Sequence, residues 1–410
     1  MLTTIWDRCR TLVLRNGALL VVAAVVALVA VVLWRLADAR HVYEDLDVYR
    51  LAVHAWWNGG DMYGLLPTTA AGNHLPFIYP PFAVLVLAPF ALLPRDPAVA
   101  LNFAVSVAAL GATLYVVVRR LWRAGGPKGA FVLTAVLLPF ALLMEPVTET
   151  LDYGQVNLWL MALVAVDCLA ISPKWPRGML VGIAAAIKLT PAAFLLYFLL
   201  RKDYRAALVT VVSGAAATLI GFVIAPNSSL HYWLDGGASS MSGTPFSANQ
   251  TITAMLVRLQ PPVELVGVLI VLLSLLAIGM GALVVRRAEA PLAMVANGIV
   301  ALLISPTSWS HHWVWIVPAL VIMIAYALRV NGYAWLAVAA VTTVVFYVGW
   351  HFKLPTAGNQ ELLWTPGEHL LGNSYVIVGF ALLASGAYLA WRRPRLLIAR
   401  RDLGRPVPYS

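Results

Sequence analysis

The sequence predicts an all-α polytopic membrane protein that forms a single integral membrane domain over residues 1–410. Hydrophobic residues make up 61% of the chain and charged residues only 11%, whereas soluble domains carry about 25% charged residues. The apolar residues lie in runs of roughly 17 to 25, which are long enough to span a hydrocarbon core of about 30 Å. Because lipid offers the backbone no hydrogen-bond partners, each run must be helical.

These runs predict about twelve membrane crossings, so both termini lie on the same side. The predicted crossings are 18–35, 97–119, 129–145, 156–171, 176–188, 190–200, 205–225, 263–285, 289–305, 312–328, 333–350 and 371–391. The segment 76–93 is also apolar, but prolines interrupt it, and we expect a helix that lies in or dips into the outer interface. The short pair 176–188 and 190–200 predicts a helical hairpin.

Charge patterning orients the chain. With a cytosolic N-terminus, about 21 of the 28 lysines and arginines fall in inner loops and termini, including the basic tail 392–410. The net charge of +10 therefore reflects membrane orientation and does not indicate nucleic-acid binding. Acids, histidines, amides and tryptophans concentrate on the outer face, which predicts a plasma-membrane protein with its chemistry outside. The outer segments are the long loops 36–96, 226–262 and 351–370 and the short turns 146–155 and 306–311.

The two cysteines indicate neither a disulfide framework nor a cysteine metal site. Cys9 and Cys168 lie far apart, and both are predicted near the cytosolic side. Arginines precede the first apolar run, but no small-residue cleavage pattern follows it, so we expect an uncleaved first helix. We also expect a monomer.

The first outer loop holds the densest group of acids. Glu44, Asp45 and Asp47 stand just after the first helix and are followed by Tyr49 and Arg50. One positioned carboxylate can act as a general base toward a sugar hydroxyl. The same acids would also be favoured by the dipole at the N-terminus of an amphipathic helix lying on the membrane. Catalysis and capping stay open for each acid.

Lys188 is a charged residue within an otherwise apolar stretch. A lysine at mid-membrane costs about 2.5 to 3.5 kcal/mol, so one that is present there usually has a partner. It could serve as a counter-charge for a lipid phosphate, or its side chain could extend to the interface.

The segment from Ser305 to Trp315 combines a proline turn with aromatic residues and two histidines. Trp309 suits an aromatic belt at the interface. His311 and His312 point to different faces of a helix and make a poor metal pair, but either can donate a hydrogen bond to a phosphate or a sugar.

Amides and one arginine stand in the other outer turns. Gln155 and Asn157 follow one short turn, and Asn249, Gln250 and Arg258 lie in the second long loop. Amides suit sugar recognition, but singly they are ordinary loop residues.

A series of short motifs resembles one enzyme family. In chain order, they are Asp45-Leu-Asp-Val-Tyr49, Asn58-Gly-Gly-Asp-Met-Tyr63, Tyr79-Pro-Pro-Phe82, Gly154-Gln-Val-Asn157, Lys188-Leu-Thr-Pro191, Asn249-Gln250 and Ser305 to Trp315. The series resembles the polyprenol-phosphate-mannose-dependent α-1,2-mannosyltransferases of actinobacteria, glycosyltransferase family 87. The likeness runs over most of the chain and is greatest to members that elongate phosphatidylinositol mannosides.

The resemblance implies a GT-C-type bundle of about 12 transmembrane helices with interface helices in the first outer loop. It implies inverting transfer of mannose from polyprenyl phosphate mannose to a phosphatidylinositol mannoside, with an α-(1→2) linkage. No cluster of metal ligands stands out in the sequence, so we expect no essential metal, and we expect no cofactor. The family's catalytic acid matches Asp45, with Asp47 as the alternative, while Lys188 and His311 or His312 would bind the donor phosphate. The expected substrate-binding residues are Tyr49, Arg50, Tyr79, Gln155, Asn157, Asn249, Gln250, Arg258 and Trp309.

Other classes stay open at this point. A lipid or sugar transporter or flippase predicts ionisable residues along a path through the helices, and only Asp167 and Lys188 lie near predicted helix centres. A scaffold explains the topology but not the first-loop acids. A related GT-C enzyme acting on lipomannan or lipoarabinomannan is a further alternative.

Overall fold

The structure, a computed structural model, is helical nearly throughout. It describes residues 10–36, 42–235, 244–330 and 332–392. Among them, the one β-type contact is an isolated antiparallel bridge between Asn249 and Trp309. The predicted all-α class is confirmed. Cys9 and the basic tail beyond residue 392 lie outside the described residues.

Helices of very different lengths alternate along the first half of the chain. They are α1 (Gly17–Leu36), α2 (Glu44–Trp57), α3 (Ala83–Ala91), α4 (Arg95–Leu121), α5 (Gly126–Ala141), α6 (Glu145–Tyr153), α7 (Asn157–Leu169), α8 (Met179–Ile187) and α9 (Phe194–Leu200). A 3₁₀ turn over Thr190–Ala193 connects α8 to α9.

The second half continues in the same way. Its helices are α10 (Tyr204–Ile224), α11 (Pro226–Leu234), α12 (Ile252–Leu259), α13 (Val263–Arg287), α14 (Ala290–Ile304), α15 (Ile316–Val330), α16 (Tyr333–Val348), α17 (Pro366–Gly372) and α18 (Ser374–Arg392). A 3₁₀ segment over Ser310–Trp315 leads into α15, and two more 3₁₀ segments precede α17.

Seven helical stretches among the described residues are long and apolar enough to cross a membrane. They are Gly17–Trp34, Arg95–Leu121, Arg123–Ala141, Tyr204–Ile224, Val263–Arg287, Ser310–Arg329 and Ser374–Trp391. The other predicted crossings coincide with the shorter helices α7, α8, α9, α14 and α16. The chain is therefore an all-helical, multi-pass membrane protein, and the count of twelve stays a prediction.

The outer segments differ from expectation in three places. The helix expected over 76–93 is only α3, because the prolines before it fix φ and lack the backbone N–H that a helix needs. The turn expected at 146–155 is largely the helix α6, which starts at Glu145 and has proline in its first turn. The crossing expected over 129–145 ends earlier, at Ala141.

Helices α8 and α10 pack closely through a glycine. A Cβ on Gly182 would lie 2.1 Å from the Ser213 hydroxyl and 2.4 Å from the Thr210 carbonyl oxygen, so only glycine allows this approach. Small residues bring membrane helices together in the same way. The contact fixes α8, and with it the position of Lys188 at its end.

Asp167 lies near the end of α7, two residues before Leu169, and not at a helix centre. Its carboxylate accepts hydrogen bonds from the backbone N–H groups of Gly178 (2.9 Å) and Val181 (3.0 Å) and from the Trp175 indole (3.0 Å). It therefore stabilises the start of α8 and is not placed as one step of a conduction path.

We expect Asp167→Ala to lower the melting temperature clearly, because each buried N–H that loses its acceptor costs about 1–3 kcal/mol. Thermal unfolding in detergent, followed by tryptophan fluorescence, measures the shift. The matched control is Asp203→Ala: Asp203 caps α10 through a 3.1 Å bond from the Ala206 N–H, but it is partly exposed, so water can replace it. Equal shifts in the two variants would contradict the structural role of Asp167.

Candidate active site

Helix α2 brings three acids to one end. Glu44, Asp45 and Asp47 all lie in its first turn, where the helix dipole favours negative charge. The backbone N–H of Tyr43, just before the helix, donates to the Asp152 carbonyl oxygen at 2.8 Å. The start of α2 is thereby fixed against the end of α6.

The Asp47 carboxylate is occupied by structural contacts. Arg95 donates to it from Nε at 3.0 Å to Oδ1 and from Nη2 at 3.2 Å to Oδ2. The N–H of Ala70 donates to Oδ2 at 3.2 Å, and Asp47 is buried. This carboxylate joins α2, α4 and the loop between α2 and α3.

Asp45 has a different environment. Burial raises the pKa of its carboxyl to about 6, a hydrogen bond from Gln155 and the charge of Lys188 act to lower it, and the neighbouring charge of Glu44 raises it. The side chain remains partly exposed. A carboxylate with this pKa can accept a proton near neutral pH.

Two tyrosines orient the amide of Gln155. The hydroxyls of Tyr49 and Tyr79 lie 2.9 and 3.0 Å from Gln155 Oε1, and 2.9 Å from each other. Because the amide oxygen accepts these bonds, the amide nitrogen is left to donate to Asp45.

A glycine turn between α6 and α7 places Gln155. Gly154 has a left-handed backbone (φ 70°), and a Cβ there would lie 2.6 Å from the Leu46 Cβ. Its carbonyl accepts a bond from the Asn102 amide at 2.9 Å. Because Gly154 has no side chain, the backbone of the turn packs directly against Leu46 of α2. This packing places Gln155 beside Asp45.

Lys188 follows the last residue of α8 in an extended conformation. Its Nζ lies 3.1 Å from Asn157 Oδ1, 3.1 Å from His312 Nε2 and 3.5 Å from the Tyr79 hydroxyl, and 5.3 Å from the centroid of the Tyr79 ring. Lys188 thus lies between the end of α8 at Ile187 and the 3₁₀ turn over Thr190–Ala193. These partners are neutral and hold the ammonium without neutralising its charge.

The 3₁₀ segment with both histidines is held from α6 and α7. The His311 carbonyl oxygen accepts bonds from the Thr150 hydroxyl (2.9 Å) and the Asn157 amide (3.0 Å). Because the Lys188 ammonium only donates, His312 accepts through Nε2 and carries its proton on Nδ1. Nδ1 of His312 and Nε2 of His311 are buried, and neither has a hydrogen-bond partner among the described residues.

A cavity adjoins this group. Asn157, His312 and Thr190 form its polar part, and the rest is apolar. Its apolar lining comes from Leu160, Met161, Pro191, Phe194, Gly298, Ala301, Leu302, Val314 and Trp315. Within the described residues, no three His, Cys, Asp or Glu side chains are grouped to hold a metal ion.

Arg50 lies outside this group. Its guanidinium donates to the carbonyl oxygens of Phe90 (3.0 Å) and Leu93 (2.8 Å). It thereby attaches α2 to the end of α3, and these structural contacts engage its Nε and Nη2 groups.

Four other candidate residues form a separate structural cluster. Arg258 is 1% exposed and donates to Asn373 Oδ1 at 2.7 and 3.0 Å and to the Asn249 carbonyl oxygen at 3.0 Å. The Gln250 amide donates at 2.7 Å to the carbonyl oxygens of residues 247 and 372. Trp309 stacks on a phenylalanine of the same cluster. Their polar groups join segments of the chain that the sequence analysis predicts to lie on the outer side.

Sequence reasoning did not select three residues that shape the site. Arg95 pairs with Asp47, Thr150 holds the His311 carbonyl, and Tyr153 packs on the His311 ring with centroids 5.4 Å apart. Arg95 could have been identified from the sequence, because it is one of few basic residues on the predicted acidic face. Thr150 had none, since its role depends on a contact 161 residues away.

The chain is similar to proteins of known family. The pattern of Glycosyltransferase family 87 matches residues 77–306. This range contains Tyr79, Gln155, Asn157 and Lys188, and Asp45 precedes it.

Relatives extend the match over most of the chain. Two are named polyprenol-phosphate-mannose-dependent alpha-(1-2)-phosphatidylinositol mannoside mannosyltransferase. That of Mycobacterium tuberculosis is 36% identical over 403 residues, covering 90% of this chain and 87% of the relative. That of Mycolicibacterium smegmatis is 34% identical over 388 residues, covering 85% and 84%. A polyprenol-phosphate-mannose-dependent alpha-(1-2)-phosphatidylinositol pentamannoside mannosyltransferase of M. tuberculosis is 30% identical and covers 80% and 78%.

Among solved structures, that of ArnT from Cupriavidus metallidurans bound to undecaprenyl phosphate gives a TM-score of 0.41 at 14% identity. The match covers 90% of this chain and 77% of that one. A likeness this weak carries no argument about site or function.

We expect Gly154→Ala to destabilise the protein, because alanine pays about 1–2 kcal/mol for the left-handed backbone and its Cβ also overlaps Leu46. Gly72→Ala is the matched control: Gly72 has φ 86°, and no atom lies within 4 Å of the position that a Cβ would take, so only the backbone cost applies. Melting temperatures of both variants are compared in the same detergent. An equal loss in both would mean that the contact with Leu46 does not constrain the turn.

Proposed function

Because the chain belongs to glycosyltransferase family 87, we propose that it transfers mannose from polyprenyl phosphate mannose to a phosphatidylinositol mannoside, forming an α-(1→2) linkage with inversion. The family match over 77–306 and the relatives at 34–36% identity establish the membership, and the family predicted from sequence is confirmed. The observation that carries the chemistry is the environment of Asp45: its carboxyl has a raised pKa, accepts a hydrogen bond from Gln155 and is influenced by the charge of Lys188.

Asp45 is the general base in this proposal. Its carboxylate takes the proton from the acceptor 2-hydroxyl, and the hydroxyl oxygen attacks the anomeric carbon opposite the phosphate. The carbon–oxygen bond to phosphate breaks, and polyprenyl phosphate leaves with the electron pair. One displacement turns a β-linked donor into an α-linked product and needs no second carboxylate as nucleophile. The ion pair of Asp47 with Arg95 favours Asp45 over Asp47.

Lys188 and His312 stabilise the departing phosphate. The Lys188 ammonium has neutral partners, so its charge acts on the phosphate as negative charge develops there. The Nδ1–H of His312 is the second proposed donor, because it has no partner among the described residues and His312 lines the cavity together with Asn157. The apolar part of that cavity receives the first isoprene units of the donor.

The other candidate residues divide into two groups. Tyr49, Tyr79, Gln155 and Asn157 surround the reacting groups and orient them. The remaining five serve the fold that supports the site: Arg50, Asn249, Gln250, Arg258 and Trp309.

For the architecture, we propose the GT-C fold with twelve crossings, an outer active site and cytosolic termini in the plasma membrane. The shorter helices α7, α8, α9, α14 and α16 supply the crossings beyond the seven long ones, and the distribution of basic residues supports the orientation. We propose that one chain suffices for activity, as expected for a monomer, because Asp45, Gln155, Lys188 and His312 come together within it.

We expect Asp45→Asn to lower the rate of mannose transfer by about 10²–10⁴-fold, the usual worth of a general base. Asp47→Asn should keep transfer while lowering the melting temperature, because the ion pair with Arg95 is lost. Purified protein in nanodiscs, radiolabelled polyprenyl phosphate mannose and a panel of mannosylated phosphatidylinositols measure both. Loss of transfer in Asp47→Asn alone, with donor binding intact, would move the base to Asp47. No transfer by folded wild type to any acceptor would refute the proposed activity.

The pH dependence follows from the pKa of Asp45. Because the base acts as a carboxylate, we expect kcat/KM to fall as the pH is lowered through about 6. The bond from Gln155 lowers this pKa, so Gln155→Met should move the acid limb to higher pH. If the acid limb of the kcat/KM profile does not move in Gln155→Met, a group other than Asp45 is responsible for that limb.

A further inference from the structure

We propose that the terminal sugar of the acceptor binds at a carboxylate rim around Tyr153, on the Glu44 side of Asp45. We define the rim as Glu44, Glu149, Asp152, Tyr153 and His311. This inference rests on the proposed function and adds the site that binds the terminal mannose of the second substrate, a neutral polyol.

Tyr153 is the last residue of α6 and is partly exposed. Two histidine rings separate it from Lys188: its ring centroid lies 5.4 Å from that of His311, which lies 4.8 Å from that of His312. His312 is the ring that contacts Lys188. Tyr153 is thus close to the reacting groups but on the side away from the phosphate-binding charge.

The rim carries negative charge. Burial and the charges of Glu149, Asp45, Glu44 and Asp152 together raise the pKa of the Tyr153 phenol to about 12. The phenol therefore stays protonated and can both donate and accept hydrogen bonds. Carboxylates are strong acceptors for sugar hydroxyls and repel phosphate, so this surface suits the neutral end of a glycan and not the donor head group.

His311 gives an independent indication of a ligand at the rim. The side chain is only 7% exposed, and its Nε2 has no hydrogen-bond partner among the described residues. A buried polar atom left unpaired costs free energy. Its main chain is already fixed by Thr150 and Asn157, so the ring cannot readily move to find a partner within the protein. A sugar hydroxyl bound against Tyr153 would supply one.

Glu44 forms the wall of the rim on the α2 side. Its Oε1 accepts bonds from the Asn73 amide (2.5 Å) and the Thr69 hydroxyl (3.4 Å), which hold the 69–73 loop beside it. Removing Glu44 would disturb that loop as well as the rim. The informative variants are therefore on α6, at Glu149 and Tyr153.

The two substrates then approach Asp45 from surfaces of opposite charge. Lys188 is the positive charge that acts on Asp45 and Glu44 the negative one. The positive surface attracts the anionic donor head group, and the carboxylates of the negative surface accept hydrogen bonds from the neutral terminal sugar of the acceptor. This arrangement sets the acceptor hydroxyl and the phosphate on different sides of the reacting carbon, as an inverting displacement requires.

The test compares Tyr153→Ala, Tyr153→Phe and Glu149→Gln with Asp96→Asn, a matched control that removes an exposed acid in the first turn of α4. Transfer is measured in nanodiscs with each substrate varied in turn. We expect Tyr153→Ala and Glu149→Gln to raise the acceptor KM about tenfold, the worth of one or two hydrogen bonds. The donor KM and the control should change less than about twofold.

Equilibrium binding of α-1,2-mannobiose without donor separates this proposal from the enzymatic one. If wild type transfers no mannose but Tyr153→Ala weakens mannobiose binding, the rim stands and the proposed activity fails. If transfer proceeds and both acceptor KM and mannobiose affinity are unchanged in Glu149→Gln and both Tyr153 variants, the rim is refuted. Tyr153→Phe keeps the aromatic ring and removes only the hydroxyl. It therefore still tests the hydrogen bonds of the phenol if Tyr153→Ala does not fold.

Discussion

The position of one lysine in an apolar hairpin constrains the site. A charged side chain at membrane depth is costly unless polar groups surround it, and Lys188 is met by Asn157, His312 and Tyr79. Those partners come from three different parts of the chain. The same side chains fix the cavity, the two histidines and the tyrosine pair around Gln155. Solvating one ammonium therefore assembles most of the site.

Asp45 and Asp47 have different surroundings although they are two residues apart. Asp47 faces Arg95 and is used by the fold, whereas Asp45 faces the Gln155 amide and Lys188 and remains partly exposed. Each residue of an α-helix is rotated about 100° from the one before it, so side chains two residues apart lie on roughly opposite faces. The sequence left capping and catalysis open for each acid. In the structure Asp47 is held by Arg95 and the Ala70 N–H, and catalysis is proposed for Asp45 alone.

Much of the fold was predictable from the sequence, because a long apolar run in lipid must form a helix to satisfy its own backbone hydrogen bonds. Every predicted crossing has a helix at its position, and errors arose where prolines and helix starts decide the outcome, at 76–82 and at Glu145. Only part of the candidate site was predictable from the sequence. Asp45, Gln155 and Lys188 were named, but Arg258 and Gln250 proved to be engaged by the fold. Composition reveals an amide or arginine in an outer loop, but its partner is set by tertiary contacts such as that between Arg258 and Asn373.

The central claim is that a single carboxylate, Asp45, acts between a donor phosphate and an acceptor sugar. The most direct test is the anomeric configuration and linkage of the product, read by NMR after transfer from a β-linked polyprenyl phosphate mannose. A product joined only by an α-(1→2) linkage is the predicted result, because one base allows one displacement. A β-linked product would contradict the account, since retention requires a covalent intermediate and a second acid placed to form it.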